Sequence, residues 1–112
     1  MAKILNDNVY IVDEKGYHFE IYKDYFIYNC RKFLTNQYIN VRFLDIESIE
    51  YNEKSLNFNY TYTYTLNLHN NNSFEIKAKT HGQLSVLMEV FAIIKELRSR
   101  TIIELINSQT ST

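Results

Sequence analysis

A chain of 112 residues with 46% hydrophobic and 15% aromatic content and a formal net charge of -1 has the composition of one globular domain, long enough for a single core and too short for two. Its 12 basic against 13 acidic side chains exclude a disordered chain and a broadly basic nucleic-acid-binding one. One cysteine, Cys30, excludes an internal disulfide framework, and three scattered histidines, His18, His69 and His81, lack zinc-ligand spacing.

The N-terminal stretch has no apolar run suited to a signal peptide, and no segment approaches the roughly 20 apolar residues that span a bilayer. A reducing, cytoplasmic location is therefore expected. Asn, Ile, Tyr, Phe and Lys supply 51 of the 112 residues, with Pro and Trp absent. Their A/T-rich codons point to a low-GC bacterium, or to one of its plasmids or phages.

Val9–Val12 opens the chain as a short strand, ended by the polar turn from Asp13 to Gly16. Tyr17–Tyr22 and Tyr25–Cys30 are rich in aromatic and β-branched residues and meet at Lys23 and Asp24, which predicts a hairpin with a tight turn. Tyr38–Phe43 and Asp45–Tyr51 read as two short strands or one bent strand, half buried on account of Glu47 and Glu50. From Phe58 to His69, apolar Phe58, Tyr60, Tyr62, Tyr64, Leu66 and Leu68 alternate with Asn, Thr and His. Strict period two predicts one strand with its apolar set on a core. Asn70–Ser73 favours a turn, and Phe74, Ile76 and Ala78 then alternate with charged residues, completing a second hairpin.

Near Thr80 the pattern becomes helical. Thr80 and Gln83 fit a capping box, in which the Thr80 hydroxyl takes the Gln83 amide and the Gln83 side chain reaches back to the Thr80 amide. Leu84, Leu87, Met88, Phe91, Ile94 and Leu97 form an apolar stripe broadened by Val86, Val90 and Ile93. The predicted helix spans 81–106, with a disordered tail at 107–112. The fold class expected is α+β, mainly β: a small antiparallel barrel of six or seven strands, over about residues 8–79, closed by one C-terminal amphipathic helix, all in a single domain.

Chemistry is sparse. Cys30 with His18 or His69 is the only thiol–imidazole combination, and a lone strand cysteine reads as a small buried hydrophobe. Asp45, Glu47 and Glu50 read as solvated strand residues, and the two glycines, Gly16 and Gly82, form no phosphate loop. The expectation is no enzyme, no catalytic or metal-binding residues, no cofactor and no small-molecule substrate. The candidate nucleic-acid or anion patch is Arg31, Lys32 and Arg42, with Lys77 and Lys79 outside the last strand.

The order of elements resembles that of the short bacterial members of the pleckstrin-homology-like superfamily. Phe19–Tyr28 resembles their first hairpin. Val41–Ile49 resembles their strand in which an Asp–Ile pair, here Asp45 and Ile46, is followed by Ser–Ile, here Ser48 and Ile49. Leu66–Lys77 and the helix from His81 complete a likeness of topology that covers about residues 17–100. The resemblance implies a bent seven-stranded barrel with one end plugged by the helix, binding lipids, peptides or proteins rather than catalysing. Lipid-headgroup-binding members carry spaced basic residues across the first hairpin loop, where this chain has Lys23 beside Asp24.

The leading expectation is a protein-interaction or regulatory module. A helix reaching past the barrel would leave Ile102, Ile103, Leu105 and Ile106 in water, a surface for homodimerisation or partner docking. The alternatives are a small RNA- or DNA-binding regulator using the basic patch, and a binder of anionic membrane surfaces.

Overall fold

The computed structural model describes the backbone of residues 3–6, 9–32 and 35–110, and the side chains of 9–29 and 37–109. Five antiparallel strands, β1 (Lys3–Asn6), β2 (Val9–Glu14), β3 (Tyr17–Ile21), β4 (Tyr25–Lys32) and β5 (Thr35–Arg42), form one sheet in chain order. A second antiparallel sheet contains β6 (Ile46–Leu56), β7 (Asn59–Leu68) and β8 (Ser73–Ala78), and one helix, α1 (His81–Thr110), packs against both. Six or seven strands were expected over about residues 8–79, and β2–β8 are seven, divided four and three, a topology consistent with the pleckstrin-homology-like resemblance. The four residues of β1 add an edge strand that is too short for alternation to reveal.

Local chemistry explains the turns. Lys15 and Gly16 both have positive φ, 55° and 88°, between the paired residues Glu14 and Tyr17. That is the two-residue geometry whose twist matches the flanking strands, and glycine adopts it without a Cβ penalty. At Lys23 and Asp24 the Tyr22 amide donates to the Tyr25 carbonyl at 2.8 Å. After β7, the Asn70 side chain accepts the Asn72 amide at 3.1 Å and Asn71 takes a φ of 67°, as short amide side chains allow.

The middle of the chain resolves into two strands in different sheets. A single turn of 3-10 helix, Phe43–Asp45, carries the chain across, with the Phe43 ring fully buried and its amide donating to the Asp24 carbonyl at 2.9 Å. A register shift between Ile46 and Ser48 follows.

The strand expected from Phe58 begins one residue later. Asn57 and Phe58, with φ of 51° and 67°, form the two-residue turn of a long hairpin, and β6 runs to Leu56 rather than ending at Tyr51. The expected inward set therefore divides: Tyr62, Tyr64 and Leu66 are buried, Tyr60 is half exposed, and Phe58 at the tip is 95% exposed.

The core joins Val12, Phe19, Phe26 and Phe43 to Leu66 and Ile76, and receives Leu87, Val90, Phe91 and Ile94 from α1. The Tyr64 and Phe91 rings stack at 4.3 Å, a geometry that adds to area burial. Tyr17 of the first sheet donates its hydroxyl to the Lys77 carbonyl of the second at 2.5 Å.

The helix corrects three expectations. The Gln83 amide donates to the Thr80 hydroxyl at 3.1 Å as expected, but the Gln83 side chain accepts the Lys79 amide, at 2.9 Å, and not that of Thr80. Met88 is 56% exposed, because the buried stripe centres on Val86, Leu87, Val90 and Ile94 and leaves Met88 near its outer flank. Finally, α1 continues to Thr110, through residues 107–110, where the sequence predicts a disordered tail. No proline or glycine interrupts that stretch, so nothing local terminates the helix.

Candidate interaction surfaces

Arg98 ties α1 to the second sheet: its guanidinium donates to the Ile46 and Glu47 carbonyls at 3.1 and 3.3 Å. Beyond it the helix outruns the body. Ile102 stays half buried, while Ile103, Leu105 and Ile106 are 56%, 42% and 52% exposed. One turn before Leu105, Thr101 lines a surface depression with Asp24, Arg42 and Leu44, and Leu44 is itself exposed. The apolar surface thus continues from the overhang onto the 3-10 turn beneath it.

The molecule measures 58 × 30 × 24 Å and has a radius of gyration of 15.3 Å. A compact chain of this length would have about 13 Å. The C-terminal stretch of α1 and the β6–β7 hairpin tip, which lies near the start of α1, stand at opposite ends of that helix.

The candidate anion patch is not gathered in one place. Arg31 pairs with Asn36 near one end of the β4–β5 ladder, and Arg42 pairs with Tyr25 at the other. Those positions are six residue steps apart along the ladder, roughly 20 Å. The side chains of Arg31 and Lys32 lie outside the described residues, and Arg42 is engaged with Asp45 at 3.3 Å. Lys77 is in β8 and Lys79 just after it, in the second sheet.

The three histidines occupy separate sites: His18 in β3, His69 in the turn after β7, and His81 at the start of α1. The Cys30 side chain lies outside the described residues. His18 approaches Glu20 at 3.2 Å and Asp13 at 3.8 Å, and Tyr22 donates to Glu20 at 2.7 Å. The hydrogen bond to Glu20 pushes the Tyr22 phenol up to about 12. Conversely, hydrogen bonds from Tyr22 and then His18 hold the Glu20 carboxyl below its usual range. Among the described residues, no group of three or more His, Cys, Asp or Glu side chains could hold a metal ion. No helix of the described residues is long and apolar enough to cross a membrane.

The hairpin tip is a surface that the sequence did not disclose. Leu56, Phe58 and Tyr60 are exposed on it. Below it the Tyr60 and Tyr62 rings are near parallel at 6.4 Å, and Tyr62 meets the His81 ring at 5.9 Å. Tyr51, which stacks obliquely on Tyr64 at 5.0 Å, has its phenol pushed up to about 12 by desolvation and by its hydrogen bond to Glu53. The signal available was Asn57 followed by a non-glycine residue in a polar interval, which is weak evidence for a turn.

Comparison of the chain with protein-family models, with curated proteins and with solved structures found no match in any of the three.

Proposed function

We propose that this chain is a non-catalytic interaction module on a pleckstrin-homology-like framework, self-associating through its C-terminal helix. The observation that carries the reading is the apolar surface running from Leu44 past Thr101 to Leu105 and Ile106, on a helix anchored at Arg98 and projecting from there. Exposed apolar side chains concentrated at the end of one rigid element favour burial against another protein. A second copy fits the chemistry. Across a two-fold axis each overhang covers the Leu44 depression of the other chain, so one surface supplies both halves of an isologous contact.

The non-catalytic reading is supported by the separation of the histidines and by the engagement of His18 in a network with Glu20 and Asp13. The nucleic-acid alternative loses support from the distance between Arg31 and Arg42 along the ladder.

The test is the light-scattering mass of the full chain across a concentration series, with and without nuclease. The expected result is a nuclease-resistant dimer that becomes monomeric with Leu105→Glu and Ile106→Glu, both exposed positions that tolerate charge in the monomer. A wild-type monomer at high concentration sinks the self-association reading. Mass lost on nuclease treatment would replace it with nucleic-acid binding.

A further inference from the structure

The three-stranded sheet has unequal strands, and the inequality leaves a gap. Pairing of β8 with β7 ends at Tyr62–Ala78, whereas β7 starts at Asn59 and pairs with β6 along its whole length. Asn59, Tyr60 and Thr61 therefore have a ladder partner on one side only. On the other side the chain has already turned away through Lys79 and Thr80 into α1. A short strand edge is left open, and open edges template the pairing of another strand.

Two depressions flank this edge, one on each face of the sheet, and Asn59 and Thr61 line both. The one towards the helix holds about 610 Å³ and is walled by Phe58, Tyr60, Tyr62, Lys79 and His81. The one on the outer face holds about 350 Å³ and is lined by Lys54, Leu56, Thr63, Glu75 and Lys77. A strand laid along Asn59–Thr61 would send alternate side chains to opposite faces, and so into the two depressions in turn. The first offers aromatic walls. The second offers two ammonium groups against one carboxylate, and among the described residues no ion pair engages Lys54, Lys77 or Lys79.

We propose that this edge accepts an extended acidic peptide from a protein partner, added as a strand with aromatic residues on the helix side and carboxylates on the Lys54–Lys77 side. Main-chain hydrogen bonds supply affinity in such an addition, and the alternate pockets supply selectivity. The positive φ of Phe58, a bulky residue in a conformation that glycine or asparagine normally takes, keeps an exposed ring at the mouth of the cleft; strain retained at such a place is characteristic of binding sites. The inference rests on the reading of the chain as a protein-binding module, but it uses the end of the molecule remote from the helix overhang.

Titration of the ¹⁵N-labelled full chain with a capped seven-residue peptide alternating glutamate with tyrosine and phenylalanine is the test. Saturable amide shifts are expected at Asn59–Tyr62 and Lys79–His81. The same peptide N-methylated at alternate residues cannot form the ladder and should produce no saturable shift, a control that leaves the protein unaltered. Paired Lys54→Glu and Lys77→Glu substitutions at the rim should weaken binding by roughly tenfold, two exposed ion pairs being worth about that factor. Shifts absent or elsewhere, equal binding of a lysine-for-glutamate peptide, or unchanged binding after N-methylation would each overturn the proposal. So would concentration-dependent shifts at these amides without peptide, which would identify a second copy as the occupant. A chain that binds the peptide while remaining monomeric separates this inference from the dimer, which alone would then fail.

Discussion

Leu87 and Leu105 stand 18 residues apart on one helix, about five complete turns, and so project in the same direction. One is fully buried and the other 42% exposed. Neither side chain nor helix face distinguishes them; what differs is the sheet beneath, which ends where Arg98 grips the start of β6. Tyr64 and Tyr60 repeat the lesson on β7, the first buried against Phe91 and the second half exposed beyond the end of β8. At both ends of the molecule an amphipathic pattern continues after its partner surface has stopped. Periodicity reports how an element is made, and burial reports what it meets.

The largest expected effect probes this contrast directly. Leu87→Ala should lower the free energy of unfolding by about 2–5 kcal/mol, the cost of a cavity in a packed core. Leu105→Ala, measured by urea titration at a concentration where the chain is monomeric, should change it by less than about 0.5 kcal/mol. Comparable losses would mean that the overhang is packed within the monomer.

A second comparison sets the two tight hairpin turns against each other. Lys15–Gly16 has the glycine that a positive φ favours, whereas Asn57–Phe58 places a bulky ring there. Phe58→Gly should raise stability by about 1 kcal/mol, the order of the left-handed penalty for an L-residue, while Gly16→Val should lower it by a similar amount. If thermal unfolding of the Phe58 variant is unchanged or earlier, the ring contributes to the fold and not to a surface held ready for a ligand.

The smallest effect concerns pH and is read at the Glu20–Tyr22 pair of the first sheet. Glu20 has its pKa held below the ordinary 4.5 by Tyr22 and His18. Its contribution to stability is therefore complete above about that value and is lost as pH falls through the depressed pKa. Tyr22 is raised from 10.0 to about 12 by Glu20, so its contribution is complete below 10.0 and is lost as pH rises through about 12. Tyr22→Phe should flatten the alkaline limb of a melting-temperature profile and, by lessening the depression of the Glu20 pKa, flatten the acid limb too. A profile identical to that of the parent chain would remove this hydrogen bond from the account.

Much of the fold was legible because burial on one face leaves a periodic trace. Tyr62, Tyr64 and Leu66 announced β7, and Thr80 with Gln83 announced the start of α1. Legibility failed where the determining partner was distant or the local chemistry was unusual. The Asn57–Phe58 turn lacks glycine, and Leu56 and Phe58 resemble a strand in composition while standing in water. The register shift after Ile46 alters which charged side chains share a face, an effect that no count of alternating residues contains. Of the candidate surfaces, the helix overhang was visible as an apolar run beyond the expected end of the core. The β7 edge was not, because it is created by the length difference between two strands, and strand lengths were the least determined quantity. Arg31 and Arg42, grouped in one candidate patch, stand six positions apart on the β4–β5 ladder, because Arg31 pairs with Asn36 and Arg42 with Tyr25.

The helix has 30 residues without an internal proline, a rod of about 45 Å at 1.5 Å per residue. Its first turn borders the open edge of β7, and its last turns carry the exposed isoleucines. A rod clamped along its middle does not telescope, so it acts as a ruler. Whatever is held at one end stands at a fixed separation and bearing from whatever is held at the other. Two such chains joined at their overhangs would present their two clefts facing outward, at a spacing set by helix length and insensitive to the sequence of the surface between them.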